Sequence, residues 1–282
     1  MTIDHPALSM IEFKPDIQKS TAWMLEQPRR IIRPGHDDGY GWHALLAAAF
    51  GELAPKPFRL IERKPTRQTT PSCLTEKNQR ALQLLAYTSH DRATLEKHAR
   101  LNASPAVYRA LAVDTLNDKP MPTSFEAGQH LCFEVRVRPT VRQDRDGDRR
   151  RSRERDAFLA AVDAEPLPRG ERPELVREIV YRDWLAARFG DAARIEQGSF
   201  RLESLSRTML LRPREEKPRD LVAVGLLKRG VQGAQGGSPD AVMQGTLTIT
   251  DPAGFQALLA RGIGRHLSFG YGMLLLRLPS RR

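Results

Sequence analysis

Tyr40 and His43 stand three positions apart in the stretch DDGYGWHALLAAAF, Asp37 to Phe50. An imidazole titrates near pH 6.5, so it can give or take a proton close to neutrality, and a phenol beside it can orient a hydroxyl or help move that proton. Trp42, Leu45, Leu46, Ala49 and Phe50 mark an apolar stripe at helical spacing, which predicts a helix from about Tyr40 to Phe50 packed on a sheet through that face. Asp38 is the expected N-cap. Tyr40 and His43 would then share the first turn, roughly 60° apart around the axis, with His43 at the margin of the stripe. A helix N-terminus attracts anions, and a phosphate held there would lie beside both side chains. That is a place where a phosphodiester could be cut. The plainer alternative is a boundary histidine with a satisfied hydrogen bond and a tyrosine covering the edge of the core.

The charge balance favours a polyanionic partner. The 282 residues carry 45 Lys plus Arg against 34 Asp plus Glu, a formal +11, and a field of that sign draws nucleic acid first and an acidic membrane surface second. No run reaches the roughly 18 apolar residues of a membrane span, and the N-terminus lacks the basic-then-apolar order of a signal peptide, so a cytoplasmic protein without a membrane partner is expected. Cys73 and Cys132 are the only cysteines, too few for a disulfide framework or a cysteine-based zinc site.

Two further stretches could hold phosphate. TVRQDRDGDRRRSRERD, Thr140 to Asp156, has no apolar periodicity; it is either a solvated loop or an arginine arm whose guanidinium groups, Arg142, Arg145, Arg149, Arg150, Arg151, Arg153 and Arg155, grip a phosphate backbone. Asp144, Asp146 and Asp148 faintly resemble a calcium loop, but the glycine is misplaced and Arg155 stands where a bidentate Glu belongs. The second stretch, RGIGRHLSFGYGMLLLRLP from Arg261 to Pro279, places Arg265, His266 and Ser268 among Gly262, Gly264, Gly270 and Gly272. Glycines let backbone amides approach a phosphate closely. The loop follows a helix and precedes a strand, the reverse of a dinucleotide fingerprint, so a phosphate loop for NAD or ATP is not expected.

The elements that would carry these groups fall into the same order twice. Strands at Leu8 to Phe13, Pro57 to Arg63, Leu82 to Thr88 and Ala106 to Leu116, with helices at Tyr40 to Phe50 and Asp91 to Leu101, give β-α-β-β-α-β, the ferredoxin-like order. A linker with Pro120 and Pro122 follows. The second half runs from an alternating strand, His130 to Arg138, through a helix at Pro173 to Phe189 and strands near Phe200 to Leu211, Leu221 to Leu227 and Val242 to Thr250. A helix that Asp251 caps and Pro252 opens comes next, and Met273 to Leu278 closes the sheet. The expectation is an α+β chain of two tandem ferredoxin-like domains, residues 1–118 and 129–282, joined by a linker at 119–128.

Three segments in this order resemble the CasE family, the CRISPR repeat-processing endoribonucleases of the repeat-associated, ferredoxin-like superfamily. They are the Y-x-x-H of Tyr40 and His43, the phrase AGQHLCFEVRVRPTVR leading into the basic loop, and DPAGFQALLARGIGRHLSFGYGML near the end. The resemblance implies a metal-independent endoribonuclease, without cofactor, that binds the hairpin of a CRISPR repeat in the precursor transcript. Such an enzyme cuts at the base of the hairpin through the ribose 2′-hydroxyl, leaving a cyclic phosphate and a 5′-hydroxyl. It then stays on the mature guide RNA with other subunits of the effector complex. The family's tyrosine and histidine fall on Tyr40 and His43, with Arg265, Lys228 and Arg229 as candidates for neutralising the phosphate.

Departures from the family pattern are the long connection at Asp16 to Gly39, the stretch Glu165 to Pro173 and the glycine-rich hairpin joining Leu227 to Val242. They leave open a type I-E or a related type IV system, in which arginine takes the part of histidine. A non-catalytic hairpin-RNA-binding subunit with the same fold is the second reading.

Overall fold

A computed structural model describes residues 8–28, 31–63, 81–145, 148–164, 176–210 and 237–279. Strand β1 (Ser9–Phe13) leads through helix α1 (Ile17–Glu26), the two-residue strand β2 (His36–Asp37) and helix α2 (Gly39–Phe50) to strands β3 (Phe58–Arg63) and β4 (Ala81–Thr88). Helices α3 (Arg92–Asn102) and α4 (Pro105–Leu111) and strand β5 (Asn117–Pro120) follow. The sheet order is β3-β4-β1-β5, all antiparallel, which is the ferredoxin-like arrangement with α2 as its first crossover.

In the second half come β6 (His130–Val137), β7 (Thr140–Arg145), β8 (Asp148–Asp156), α5 (Ala157–Ala164), α6 (Arg177–Phe189), β9 (Ala193–Ile195), β10 (Arg201–Leu210) and β11 (Ser238–Ile249). Helix α7 (Pro252–Arg261) and strand β12 (Leu274–Arg277) complete it. The order β12-β6-β11-β10 repeats the pattern of the first sheet, and β9 adds on to β11. The chain is thus α+β with two ferredoxin-like halves. They interlock, because β2 from the first half pairs parallel with the edge strand β10 of the second.

Period-2 and period-3.6 burial explain the packing. On α2, Trp42, Leu45, Leu46, Ala49 and Phe50 are all buried and meet Ile11, Phe13, Leu84 and Ala86 of the first sheet; each large side chain contributes roughly 1.5–3 kcal/mol by leaving water. Strand β4 is apolar on both faces. Leu84 and Ala86 face the helices of their own half, whereas Leu85 and Tyr87 join the core of the other half, where the Tyr87 hydroxyl donates to the Leu274 carbonyl at 2.8 Å.

Besides the short elements β2, α5 and β9, which the sequence pattern does not announce, three segments depart from the sequence expectation. Ala106 to Leu116, expected as a strand, is mostly helix α4: the Ser104 hydroxyl accepts from the Val107 N–H, Pro105 takes the first position, and Val107, Ala110 and Leu111 are buried on one face. The fourth strand of the first half lies further on, at Asn117–Pro120. Within the connection from Asp16 to Gly39, Asp16 caps the unexpected helix α1 by accepting from Lys19 N–H. Thr140 to Asp156, neither regular nor apolar in sequence, forms the antiparallel hairpin β7–β8. Leu221 to Leu227, Lys228, Arg229 and Glu165 to Pro173 lie outside the described residues. Among the described residues no helix is long and apolar enough to cross a membrane.

Candidate nucleic-acid interface and active site

Helix α2 begins where the two halves meet. Asp38, the expected cap, makes no hydrogen bond to a helix N–H; its carboxylate accepts from Trp42 Nε1 at 2.8 Å. The carboxylate at the helix start is that of Asp37, which accepts from the Gly39 N–H at 2.8 Å. Gly39 is glycine because the next loop of the site leaves no room: a Cβ there would run into the carbonyl oxygen of Phe269.

Tyr40 and His43 are brought together, with ring centroids 6.1 Å apart and nearly edge-on. Both are partly exposed. Phe269 from the glycine-rich loop covers them, 5.7 Å from Tyr40 and 5.6 Å from His43. Burial under this ring, and secondarily the nearby Lys56 ammonium, holds the His43 pKa below its ordinary value. A neutral imidazole at pH 7 results, able to accept a proton.

The glycine-rich loop runs from α7 to β12 and is bent by left-handed residues. Gly272 has φ +79°, and a Cβ on it would meet the Ile263 carbonyl oxygen. His266 is left-handed as well, at φ +65°, uncommon for a side chain with a Cβ. Its ring is nearly buried, 3% exposed, and its Nε2 lies 3.0 Å from Glu154 Oε2, while Arg265 Nε lies 3.3 Å from Glu154 Oε1. Arg265 is about half exposed, so it can still present its guanidinium to solvent. Ser268 sits in the short 3-10 turn Leu267–Phe269, partly exposed.

Glu154 belongs to the basic hairpin, whose feet are firmly held. Trp184 Nε1 donates to the Thr140 carbonyl at 2.9 Å, and the Arg188 guanidinium lies 3.6 Å over the Trp184 ring. At the other foot the buried Asp156 carboxylate receives Arg177 and the Tyr181 hydroxyl, both at 2.9 Å, and Arg207 at 3.3 Å. On the hairpin Arg142 is exposed, and Arg155 pairs with Asp163 of α5. Arg145, Arg149, Arg150, Arg151 and Arg153 take their backbone places along the same two strands.

Behind α2 lies a polar cluster that sequence reading did not single out. Arg136 Nη2 donates to Asp37 Oδ2 at 2.7 Å and to Asp240 Oδ2 at 2.5 Å, and its Nε donates to Asp240 Oδ1 at 2.9 Å. The guanidinium stacks over the Tyr271 ring at 4.4 Å. The Tyr271 hydroxyl in turn contacts Asp37 at 3.1 Å and Asp240 at 3.2 Å. Burial opposes the charge on Arg136, but the two carboxylates outweigh it and raise its pKa. With Asp37 and Asp240 side chains 3% and 7% exposed, removing Arg136 would leave two buried carboxylates without a counter-charge at a cost of about 3–5 kcal/mol. Among the described residues no group of three or more His, Cys, Asp or Glu is placed to hold a metal ion.

The family model for CRISPR associated protein matches residues 9–277. The chain belongs to that family. No curated protein matches it closely. Its fold is similar to that of a CRISPR endoribonuclease Cse3 bound to a 19-nucleotide RNA, with 14% identity, TM-score 0.53, and coverage of 96% of this chain and 99% of that one. It is similar also to Thermus thermophilus Cse3 bound to an RNA representing a pre-cleavage complex, with 16% identity, TM-score 0.50, and coverage of 96% and 99%. At such identities the likeness speaks for the fold of this CRISPR associated protein.

Proposed function

We propose that this CRISPR associated protein is a CasE-type endoribonuclease that binds the hairpin of a CRISPR repeat and cuts at its base. The observation that carries the reading is the juxtaposition of Tyr40 and His43, at the start of α2, with Phe269 of the glycine-rich loop, in a chain of this family. The first half, which runs through β5 to Pro120, would carry the cutting side chains. The second, from β6 onward, would supply the basic hairpin and the loop that grip the RNA.

The reaction needs a proton removed from a ribose 2′-hydroxyl, attack of that oxygen on the adjacent phosphorus, and rupture of the bond to the departing 5′-oxygen, which takes up a proton. The products are a cyclic phosphate and a 5′-hydroxyl. His43 carries out proton transfer, and Tyr40 orients the ribose or relays the second proton. Arg265 offsets charge on the pentavalent phosphate. No metal takes part. Arg142 and the other arginines of the basic hairpin follow the phosphate backbone, as do Lys228 and Arg229, and His266 and Ser268 shape the loop that receives it. The cut hairpin stays bound, and the protein–guide RNA complex joins other subunits of a cytoplasmic effector.

The test is incubation of the protein with the host's repeat hairpin in EDTA, followed by analysis of both product ends. A cyclic phosphate on one fragment and a 5′-hydroxyl on the other are expected, and a 2′-deoxy substitution at the scissile nucleotide should block the reaction. A shifted but uncut hairpin in EDTA would leave only the non-catalytic RNA-binding reading.

A further inference from the structure

Asp37 offers no atom to the proposed reaction, yet three segments of the site meet at its carboxylate. Oδ1 accepts from the N–H of Gly39, the first residue of α2. Oδ2 accepts from Arg136 of β6 at 2.7 Å and from the hydroxyl of Tyr271, just beyond the glycine-rich turn, at 3.1 Å. The residue lies in β2, the short strand by which the first half clasps the sheet of the second.

We propose that Asp37 is a positioning residue, which fixes the first turn of α2, with Tyr40 and His43, against Phe269 and the glycine-rich loop. The proposal rests on the reading of that site as the place of cutting. Its physical basis is that α2 and the loop touch backbone to backbone at Gly39 and Phe269, so the contact has no soft side chain to absorb a shift. Anything that lets the helix start drift moves two rings relative to a third. A misplacement of about 1 Å can cost a reaction roughly a hundredfold, while RNA held by arginines elsewhere would bind almost as before.

Asp240 supplies an internal control. It shares Arg136 and Tyr271 with Asp37 at 2.5 and 3.2 Å but lies on β11, and the N–H that opens α2 goes to Asp37. Asp37→Asn keeps one acceptor oxygen and puts an NH2 in place of the other, so either the Gly39 N–H or the Arg136 and Tyr271 donors lose their acceptor; Asp240→Asn removes an acceptor from the same Arg136 without touching the Gly39 N–H.

The experiment compares the wild type with Asp37→Asn and Asp240→Asn by four readouts. These are melting temperature, hairpin Kd, single-turnover cutting rate at saturating protein, and the His43 ring signals in the NMR spectrum of the RNA-free protein. Both variants should lose melting temperature. Asp37→Asn should cut about thirtyfold more slowly with Kd within about twofold, whereas Asp240→Asn should cut within about threefold of wild type. The His43 signals, set partly by the Phe269 ring, should move in Asp37→Asn and stay in Asp240→Asn. Should Asp37→Asn fail to fold, Asp37→Glu takes its place on the same readouts, since it keeps the charge but displaces the carboxylate. Equal rate losses in the two variants, or a wild-type rate in Asp37→Asn, overturn the proposal. If the wild type itself does not cut, the functional reading fails separately, and the His43 signals then decide alone: movement confined to the Asp37 variant upholds the positioning role, and any other pattern ends it.

Discussion

The ring of Phe269 lies 5.6 Å from that of His43, at an interplanar angle of 68°. Through this contact the glycine-rich loop of the second half reaches the helix start of the first, so each half is incomplete without the other. Phe269→Ala would remove the ring from both Tyr40 and His43. The expected result is a single-turnover rate lower by about tenfold, equivalent to about 1.4 kcal/mol on the barrier, with hairpin affinity changed far less. Phe269→Leu should recover part of the rate. An unaltered rate in the alanine variant would mean that the ring only fills space.

His43 should be neutral in the RNA-free protein at pH 7, because burial and then Lys56 depress its pKa below about 6.5. The sign follows directly. A histidine depressed in the folded state binds fewer protons there than in the unfolded chain, so its contribution to stability is complete above about pH 6.5 and is lost as pH falls through the folded value. An NMR titration should place the His43 midpoint below 6.5. Adding an uncuttable 2′-deoxy hairpin should raise it, since a phosphate beside the ring favours imidazolium. A midpoint above 6.5 without RNA would contradict the burial seen under Phe269.

Glu154 divides its carboxylate between Arg265 and His266, and so places a negative charge where the RNA phosphate is proposed to dock. Glu154→Gln removes that charge while keeping a hydrogen-bonding group. Hairpin binding in low salt should tighten by about threefold, and the gain should fade as salt rises and screens the site. Weaker binding at every salt concentration would show that the carboxylate serves to hold the loop rather than to compete with phosphate.

Much of the architecture was legible in the sequence. The apolar stripe from Trp42 to Phe50 announces α2, and with it the shared first turn of Tyr40 and His43; the alternation of Leu131, Phe133, Val135 and Val137 announces β6. What that alternation hid was the use of the opposite face. Glu134 and Arg136 look like a solvated edge, but they turn toward the first half, where they meet Arg59 at 3.4 Å and Asp37 at 2.7 Å. Their partners are distant in sequence, and β2 is too short to show a period. Helix α1 buries only Ser20 and Met24, too few to show as an apolar stripe in the sequence. The strand expected at Ala106 to Leu116 rests on an apolar run that fits either structure, and the cap at Ser104 with Pro105 behind it makes the segment helical. Phe269 stood in plain view between Ser268 and Gly270, yet nothing in a lone aromatic beside glycines reveals which ring it will cover.

The central claim is that His43 transfers a proton at a phosphodiester docked at the start of α2. Its most direct test is the single-turnover cutting rate of His43→Ala on the repeat hairpin in EDTA, at protein concentrations that saturate binding. The expected loss is about a hundredfold or more, the range of a general acid or base, with Kd within about twofold of wild type. A His43→Ala protein that binds and cuts at the wild-type rate would contradict it.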